Sequence, residues 1–278
     1  MRSSADMKQS MQKSFDHETP TLISLQGVTK RFYFDEHRAK SLRGWFIRRV
    51  LRKPVDISPA GFVLQNINLK VKRGEVVALV GLNGSGKSTM LRLMGGIYHP
   101  SEGKVAVNGR IAAIIELGAG FHGELTGAEN AAIYASVLGL SRQELTRHFE
   151  EIMDFSGIAD FFDTPIKYYS SGMEARLAFA VAVCVEPDIL LLDEVLSVGD
   201  RMFRERCFER LRGFITKGGT VVLVSHDWDQ VRDLCSKAVY LENGRISMVS
   251  DANTVVDAFE KNVKKNPSMC SNDDQTIS

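Results

Sequence analysis

Eight consecutive residues, Gly81-Leu82-Asn83-Gly84-Ser85-Gly86-Lys87-Ser88, follow the pattern G-x-x-x-x-G-K-[ST]. Glycines at 81, 84 and 86 let the backbone curl until successive N–H groups, those of Asn83 and Ser85 among them, point at one place. Converging amides of this kind bind phosphate oxygens. Lys87 would reach the β- and γ-phosphates of a nucleoside triphosphate, and the Ser88 hydroxyl would ligate Mg²⁺. A helix opening at Thr89-Met90-Leu91 adds the partial positive charge of its N-terminus. The loop follows the apolar run Glu75–Val80 and precedes a helical stretch. A chance lysine in a glycine-rich turn would not need that setting. The motif alone admits a kinase, a GTPase or an ATPase.

A second group of polar side chains ends two other apolar runs. Asp188-Ile189-Leu190-Leu191-Leu192 leads into Asp193 and Glu194, and Thr220-Val221-Val222-Leu223-Val224-Ser225 leads into His226. In a doubly wound parallel sheet, ligands sit at the carboxyl ends of the strands. Asp193 is then placed to hold Mg²⁺, through water, beside the phosphate loop. Glu194, one residue further, can orient and deprotonate an attacking water. His226 is positioned to sense a γ-phosphate.

These side chains need a sheet to hold them. Leu22–Leu25, Phe62–Val71, Glu75–Val80, Ile189–Leu192 and Thr220–Ser225 read as strands. Residues 126–185 read as mainly helical, with Thr126 and Ser141 as N-caps and Glu129 at the third helical position after Thr126. A helix over 201–217 stops at Gly218-Gly219. Strands alternating with helices predict an α/β fold with a mainly parallel sheet. The 278 residues carry 35 Lys+Arg against 34 Asp+Glu, a net charge of +1, with 44% hydrophobic and 25% charged residues. That composition excludes a disordered chain, a collagen-like fibre and a supercharged nucleic-acid binder. The longest apolar run, Leu177–Val185, is nine residues, far short of the about 20 that span a bilayer. Residues 1–20 are polar, read as disordered, and resemble no signal peptide, which predicts a cytoplasmic chain. Cys184, Cys207, Cys235 and Cys270 form no C-x-x-C pair and read as reduced thiols. The stretch from 264 to 278 reads as a loose tail, too short for a further domain.

Residues 38–53 hold seven basic residues and no acid. Leu42, Trp45, Phe46 and Val50 recur there at helical spacing, which predicts an amphipathic helix with Arg48, Arg49 and Arg52 on its charged side. A basic face suits anionic head groups and Trp suits a membrane interface. A solvated charge run on a surface insertion is the alternative.

Tyr169-Ser170-Ser171-Gly172-Met173, followed by Glu174-Ala175-Arg176-Leu177, resembles the LSGGQ signature of the ATP-binding-cassette family and the helix it opens. It departs at Tyr169, Ser171 and Met173 and keeps Ser170 and Gly172. Ser197-Val198-Gly199-Asp200 resembles that family's D-loop, His226 its switch histidine, and Phe32 its adenine-stacking aromatic, with Tyr33 adjacent. The resemblance covers about residues 21–262. It implies an α/β P-loop NTPase nucleotide-binding domain over 21–263. Such a domain has a mainly parallel core sheet, an antiparallel β portion and a helical subdomain over about 122–185. It also implies a head-to-tail homodimer in which the phosphate loop of one copy and Ser170, Ser171, Gly172 and Met173 of the other clamp the same ATP. Hydrolysis would then move integral membrane permease subunits, two copies being expected, with no role for nucleic acid.

The glutamine of the family's Q-loop is missing near Glu116. In its place Glu116-Leu117-Gly118-Ala119-Gly120-Phe121-His122, with Glu124-Leu125-Thr126-Gly127-Ala128-Glu129-Asn130, is similar to cassettes that export O-antigen, capsule or teichoic acid. This implies a peripheral ATPase at the cytoplasmic face of the bacterial inner membrane, acting on a lipid-linked glycan. It also puts the basic segment at the membrane entrance for that substrate. Another cassette transporter for lipid, drug or nutrient, or a soluble cassette acting on nucleic acid or ribosomes, are the rival readings.

Overall fold

The structure, a computed structural model, describes residues 19–34, 58–115, 120–193 and 200–265. Strands β1 (Thr21–Phe34), β2 (Ser58–Lys72) and β4 (Glu102–Val107) form an antiparallel sheet in the order β2-β1-β4. The second sheet has the order β5-β6-β7-β3-β8-β9. It contains β3 (Val76–Val80), β5 (Ile111–Ile114), β6 (Ile189–Asp193), β7 (Thr220–Val224), β8 (Lys237–Glu242) and β9 (Arg245–Ser250). All its neighbours are parallel except β8 and β9.

The sequence of β3 shows why. Every residue is buried, with no polar alternation, as a strand covered on both faces requires. Its odd and even residues enter different cores, following the two-residue period of a strand. Val76, Ala78 and Val80 pack with Leu177, Phe179 and Phe203. Val77 and Leu79 pack with Ile23, Leu64 and Leu91, under the antiparallel sheet.

Helix α1 (Lys87–Met94) follows the phosphate loop and begins two residues before the expected Thr89, because Gly86 already turns the chain into it at φ 105°. Three α-helices occupy the stretch from 126 to 185: α2 (Gly127–Val137), α3 (Arg142–Ser156) and α4 (Ser171–Cys184). Thr126 caps α2 and Ser141 caps α3, each with a reciprocal bond to a glutamate three residues on, Glu129 and Glu144. The run that is too short to span a bilayer is the buried part of α4, where residues 177 to 184 are all interior. Among the described residues no helix is long and apolar enough to cross a membrane. Helix α5 (Arg201–Thr216) leads into β7, α6 (Trp228–Leu234) into β8, and α7 (Ala252–Lys265) follows β9.

Gly127 shows how closely the helical segment meets the signature. A Cβ there would overlap the Tyr169 hydroxyl, which is held in place by donating to Phe161 O at 2.7 Å. Gly127→Ala is expected to destabilise the chain by about 1–3 kcal/mol through overpacking, seen as a fall of several degrees in Tm. An unchanged Tm would contradict this seating of Tyr169.

Candidate functional site

The register of the parallel sheet collects the site. Val224 pairs with Leu79 on one side and with Asp193 on the other. The phosphate loop starts two residues after Leu79, and His226 lies two residues after Val224. Asp193, His226 and Gly81 therefore leave the same end of three adjacent strands, spread over about 10 Å at a strand spacing near 4.8 Å. Sequential strands β7 and β8 lie on opposite sides of β3, so this end is also the point where strand order reverses, the usual place for a ligand crevice.

The loop itself is built tightly. A Cβ on Gly81 would overlap Leu241 O. A Cβ on Gly86 would lie 2.7 Å from Leu64 Cδ2, with φ at +105°. Both positions accept glycine alone. Lys87 is 6% exposed; its Nζ donates to Gly81 O at 2.7 Å and to Leu82 O at 2.9 Å. The Ser85 hydroxyl is buried and lacks a hydrogen-bond partner among the described residues. An orphaned buried hydroxyl beside a buried ammonium held on two loop carbonyls fits a phosphate group; the Ser85 N–H, expected to point at that group, donates instead to Leu82 O at 3.1 Å. Asn83 and Gly84 are exposed at the rim, whereas Ser88 and Thr89 are half-buried on the first turn of α1.

Asp193 is half-buried and His226 is exposed, its ring 6.2 Å from that of Trp228. Phe32 is half-buried on β1 and meets Tyr98 edge to face at 5.4 Å. Lys30 Nζ lies 5.1 Å and 5.3 Å from these two ring centroids. Phe32 pairs with Gly61, three residues along β2 from Leu64, which places it about 10 Å from the loop at 3.3 Å per residue. That is a suitable reach from phosphates to a base.

Ser170 caps α4, its hydroxyl accepting from Met173 N at 3.3 Å. Ser170 and Ser171 are exposed; Gly172 and Met173 are half-buried. The amides of Met173 and Glu174 are taken up by the Ser170 hydroxyl and carbonyl, and the exposed Ser170 and Ser171 put this helix N-terminus at the surface. Arg176, on the same helix, forms an ion pair with Asp200, and Asp200 caps α5 by accepting from Phe203 N at 2.9 Å. The Phe203 amide, and after it Arg176, hold the Asp200 carboxyl below the usual aspartate range. The pair ties the N-terminal part of α4 to the N-terminus of α5.

Asn130 is a structural support that sequence reasoning missed. It is fully buried; its Oδ1 accepts from His122 N at 2.7 Å, and its Nδ2 is shared among the carbonyls of His122, Leu125 and Thr126. It knits the turn that follows Glu116–Ala119. Cys184, Cys207 and Cys235 are free and buried, and burial pushes each thiol up to about 12. Trp45, Phe46, Arg48, Arg49, Arg52, Glu116, Glu194, residues 197–199 and Cys270 lie outside the described residues. Among those described, no cluster of three or more His, Cys, Asp or Glu side chains forms a metal site.

The ABC transporter family model matches residues 64–197. The chain is 44% identical over 240 residues to the O-antigen export system ATP-binding protein RfbB of Klebsiella pneumoniae, covering 86% of this chain and 98% of that one. It is 36% identical over 243 residues to the teichoic acids export ATP-binding protein TagH of Bacillus cereus, covering 87% of this chain and 43% of that protein. Among solved structures, the ATP-binding subunit of an ABC transporter superposes with a TM-score of 0.70 at 22% identity, over 88% of this chain and 100% of that one. A dimeric ATP-binding cassette bound to ADP and Pi gives 0.66 at 24% identity, over 83% and 99%. The structural likeness establishes a shared fold.

Proposed function

The chain belongs to the ABC transporter family of ATP-binding cassettes, and from that premise we propose that it drives export of a lipid-linked polysaccharide across the bacterial inner membrane. The observation that carries this is the near-complete match to an O-antigen export ATPase, which leaves almost none of that relative unaccounted for.

The chain's own residues divide the work. Backbone amides of 81–88 and the Lys87 ammonium bind the β- and γ-phosphates of ATP. Ser88 and Asp193 would hold Mg²⁺, which neutralises phosphate charge when bound. Glu194 takes the proton of the attacking water, and His226 contacts the γ-phosphate from the middle strand. Phe32 supplies the face for adenine. One chain holds one phosphate loop and one outward-facing signature, which supports a homodimer: Ser170, Ser171, Gly172 and Met173 of one copy close over ATP on the other, with Asp200 between the two sites.

The membrane-spanning partner needs a landing surface. Ile97, Ile133 and Val137 are 56%, 43% and 74% exposed. Ile97 and Val137 line an apolar cleft of about 330 Å³ with Ile111 and Tyr134. Exposed apolar residues gathered at a cleft mark an interaction site, and we assign it to the permease subunits, two copies being expected, at the cytoplasmic face. Affinity purification of the tagged full chain from detergent-solubilised membranes should recover an integral membrane protein. Recovery of a soluble complex with nucleic acid would overturn the reading. The basic segment is assigned to the substrate entrance. Changing Arg48, Arg49 and Arg52 together to Glu should cut glycan export severalfold and leave basal ATP turnover within about twofold, because charge reversal there acts on the about 1 kcal/mol that each basic residue gains at an anionic surface. Unchanged export would contradict it.

A further inference from the structure

A cavity bordered by described residues lies away from the phosphate loop. It has a volume of about 530 Å³ and opens between the C-terminal half of α5, the ends of α3 and α4, and the turn before β6. That size is within the range of small-molecule sites. Phe155, Val183, Pro187 and Phe214 give it apolar walls. Phe214 is fixed: it packs so closely on Gly219 that a Cβ there would overlap its ring.

Gly213 has no packing reason to be glycine. It sits inside α5, four residues before the capping Lys217, and an added Cβ would meet nothing within 4 Å. A glycine inside a helix costs about 1 kcal/mol relative to alanine. Here it lines the cavity, and a side chain would project into that open space.

The charges at the rim are mostly paired. Arg73 meets Asp188 at 3.4 Å, Lys217 meets Glu186 at 2.7 Å, and Arg210 meets Glu151 at 2.5 Å. Arg206 differs. It donates to Asp154 O at 3.2 Å and lies 5.1 Å over the Phe155 ring, with no carboxylate in ion-pair reach among the described residues. Glu209, one turn on, also lacks an ion-pair partner among them. A guanidinium already stacked on an aromatic ring, above apolar walls, recognises a flat ring that carries an anion.

We propose that this cavity is a regulatory site for a planar aromatic molecule bearing an acidic group. Its rings lie between Phe155 and Phe214, its anion meets Arg206, and a donor on it meets Glu209. Such a ligand touches both the helical segment, through Phe155 and Val183, and α5, whose other end is Asp200. It would wedge the joint between them and slow ATP turnover. The binding claim stands independently of the transported cargo; the turnover claim rests on the ATPase reading.

The probe is 8-anilinonaphthalene-1-sulfonate, titrated by fluorescence into the full chain with saturating Mg-ADP to occupy the nucleotide site. Saturable binding of one probe per chain is expected. Gly213→Leu, which fills the cavity, should abolish it, with a Tm at or above that of the parent; Arg206→Gln should weaken it about tenfold, with a Tm within a few degrees of the parent because it loses the contacts to Asp154 O and Phe155. Binding undiminished in both variants would overturn the site. In turnover assays the probe should inhibit the parent and leave Gly213→Leu unaffected. Binding that follows the variants while turnover does not respond would overturn the wedge.

Discussion

Lys87→Ala is expected to lower ATP turnover by about a hundredfold or more, the scale of losing one preorganised electrostatic group at a phosphate site. The ammonium is almost wholly buried, and its hydrogen bonds to Gly81 O and Leu82 O tie it to the same backbone that would receive phosphate. Removing it leaves the carbonyls without their donor and takes away the one cationic side chain in the 81–88 loop. Lys87→Arg should also fail, because a planar fork cannot replace a compact ammonium in a closed loop. Nucleotide binding by equilibrium dialysis and phosphate release should fall together, with the Tm changed by only a few degrees. Turnover within about threefold of the parent would remove Lys87 from the site.

Glu194→Gln is expected to separate the two activities that Lys87→Ala removes together. Glutamine keeps the size and the hydrogen bonding of the side chain but cannot take a proton. ATP binding should stay within about twofold of the parent, while kcat falls by about 10² to 10⁴, the contribution of a positioned base. With hydrolysis stopped and binding intact, ATP should also convert the chain to a dimer in size-exclusion chromatography. Normal turnover would refute Glu194 as the base, and a monomer in saturating ATP would count against the shared site.

What could be read from the sequence was what depends on neighbouring residues. The phosphate loop is local: its glycines, lysine and serine are contiguous, and the buried strand before it is a run of apolar residues. The strands of β6 and β7 were legible for the same reason, as were the caps at Thr126 and Ser141. Helices α1 and α5 differ from the reading only at their ends, where Gly86 starts α1 at Lys87 and Lys217 caps α5 one residue early, whereas β1 runs nine residues past the expected Leu25 and β4, β5, β8, β9, α6 and α7 were not read.

What depends on pairing across the fold was not legible. Nothing in the sequence says that Val224 has Leu79 on one side and Asp193 on the other, yet this register is what puts acidic and phosphate-binding ends together. Asn130 reads as an ordinary helix residue until the turn at 122–126 folds back onto its amide. Tyr169, a departure from the signature pattern, is explained only by the carbonyl of Phe161 and by the missing side chain of Gly127. Gly213 is unremarkable in a sequence and becomes informative once the space beside it is seen.

The most direct test of the central claim is the amount of lipid-linked glycan held on the inner side of the cell membrane when Glu194→Gln replaces the chromosomal copy. Accumulation inside, with surface polysaccharide reduced to the level of a deletion strain, is the predicted result. Normal surface polysaccharide and no internal accumulation, in cells whose purified variant still binds ATP without hydrolysing it, would contradict the assignment to polysaccharide export.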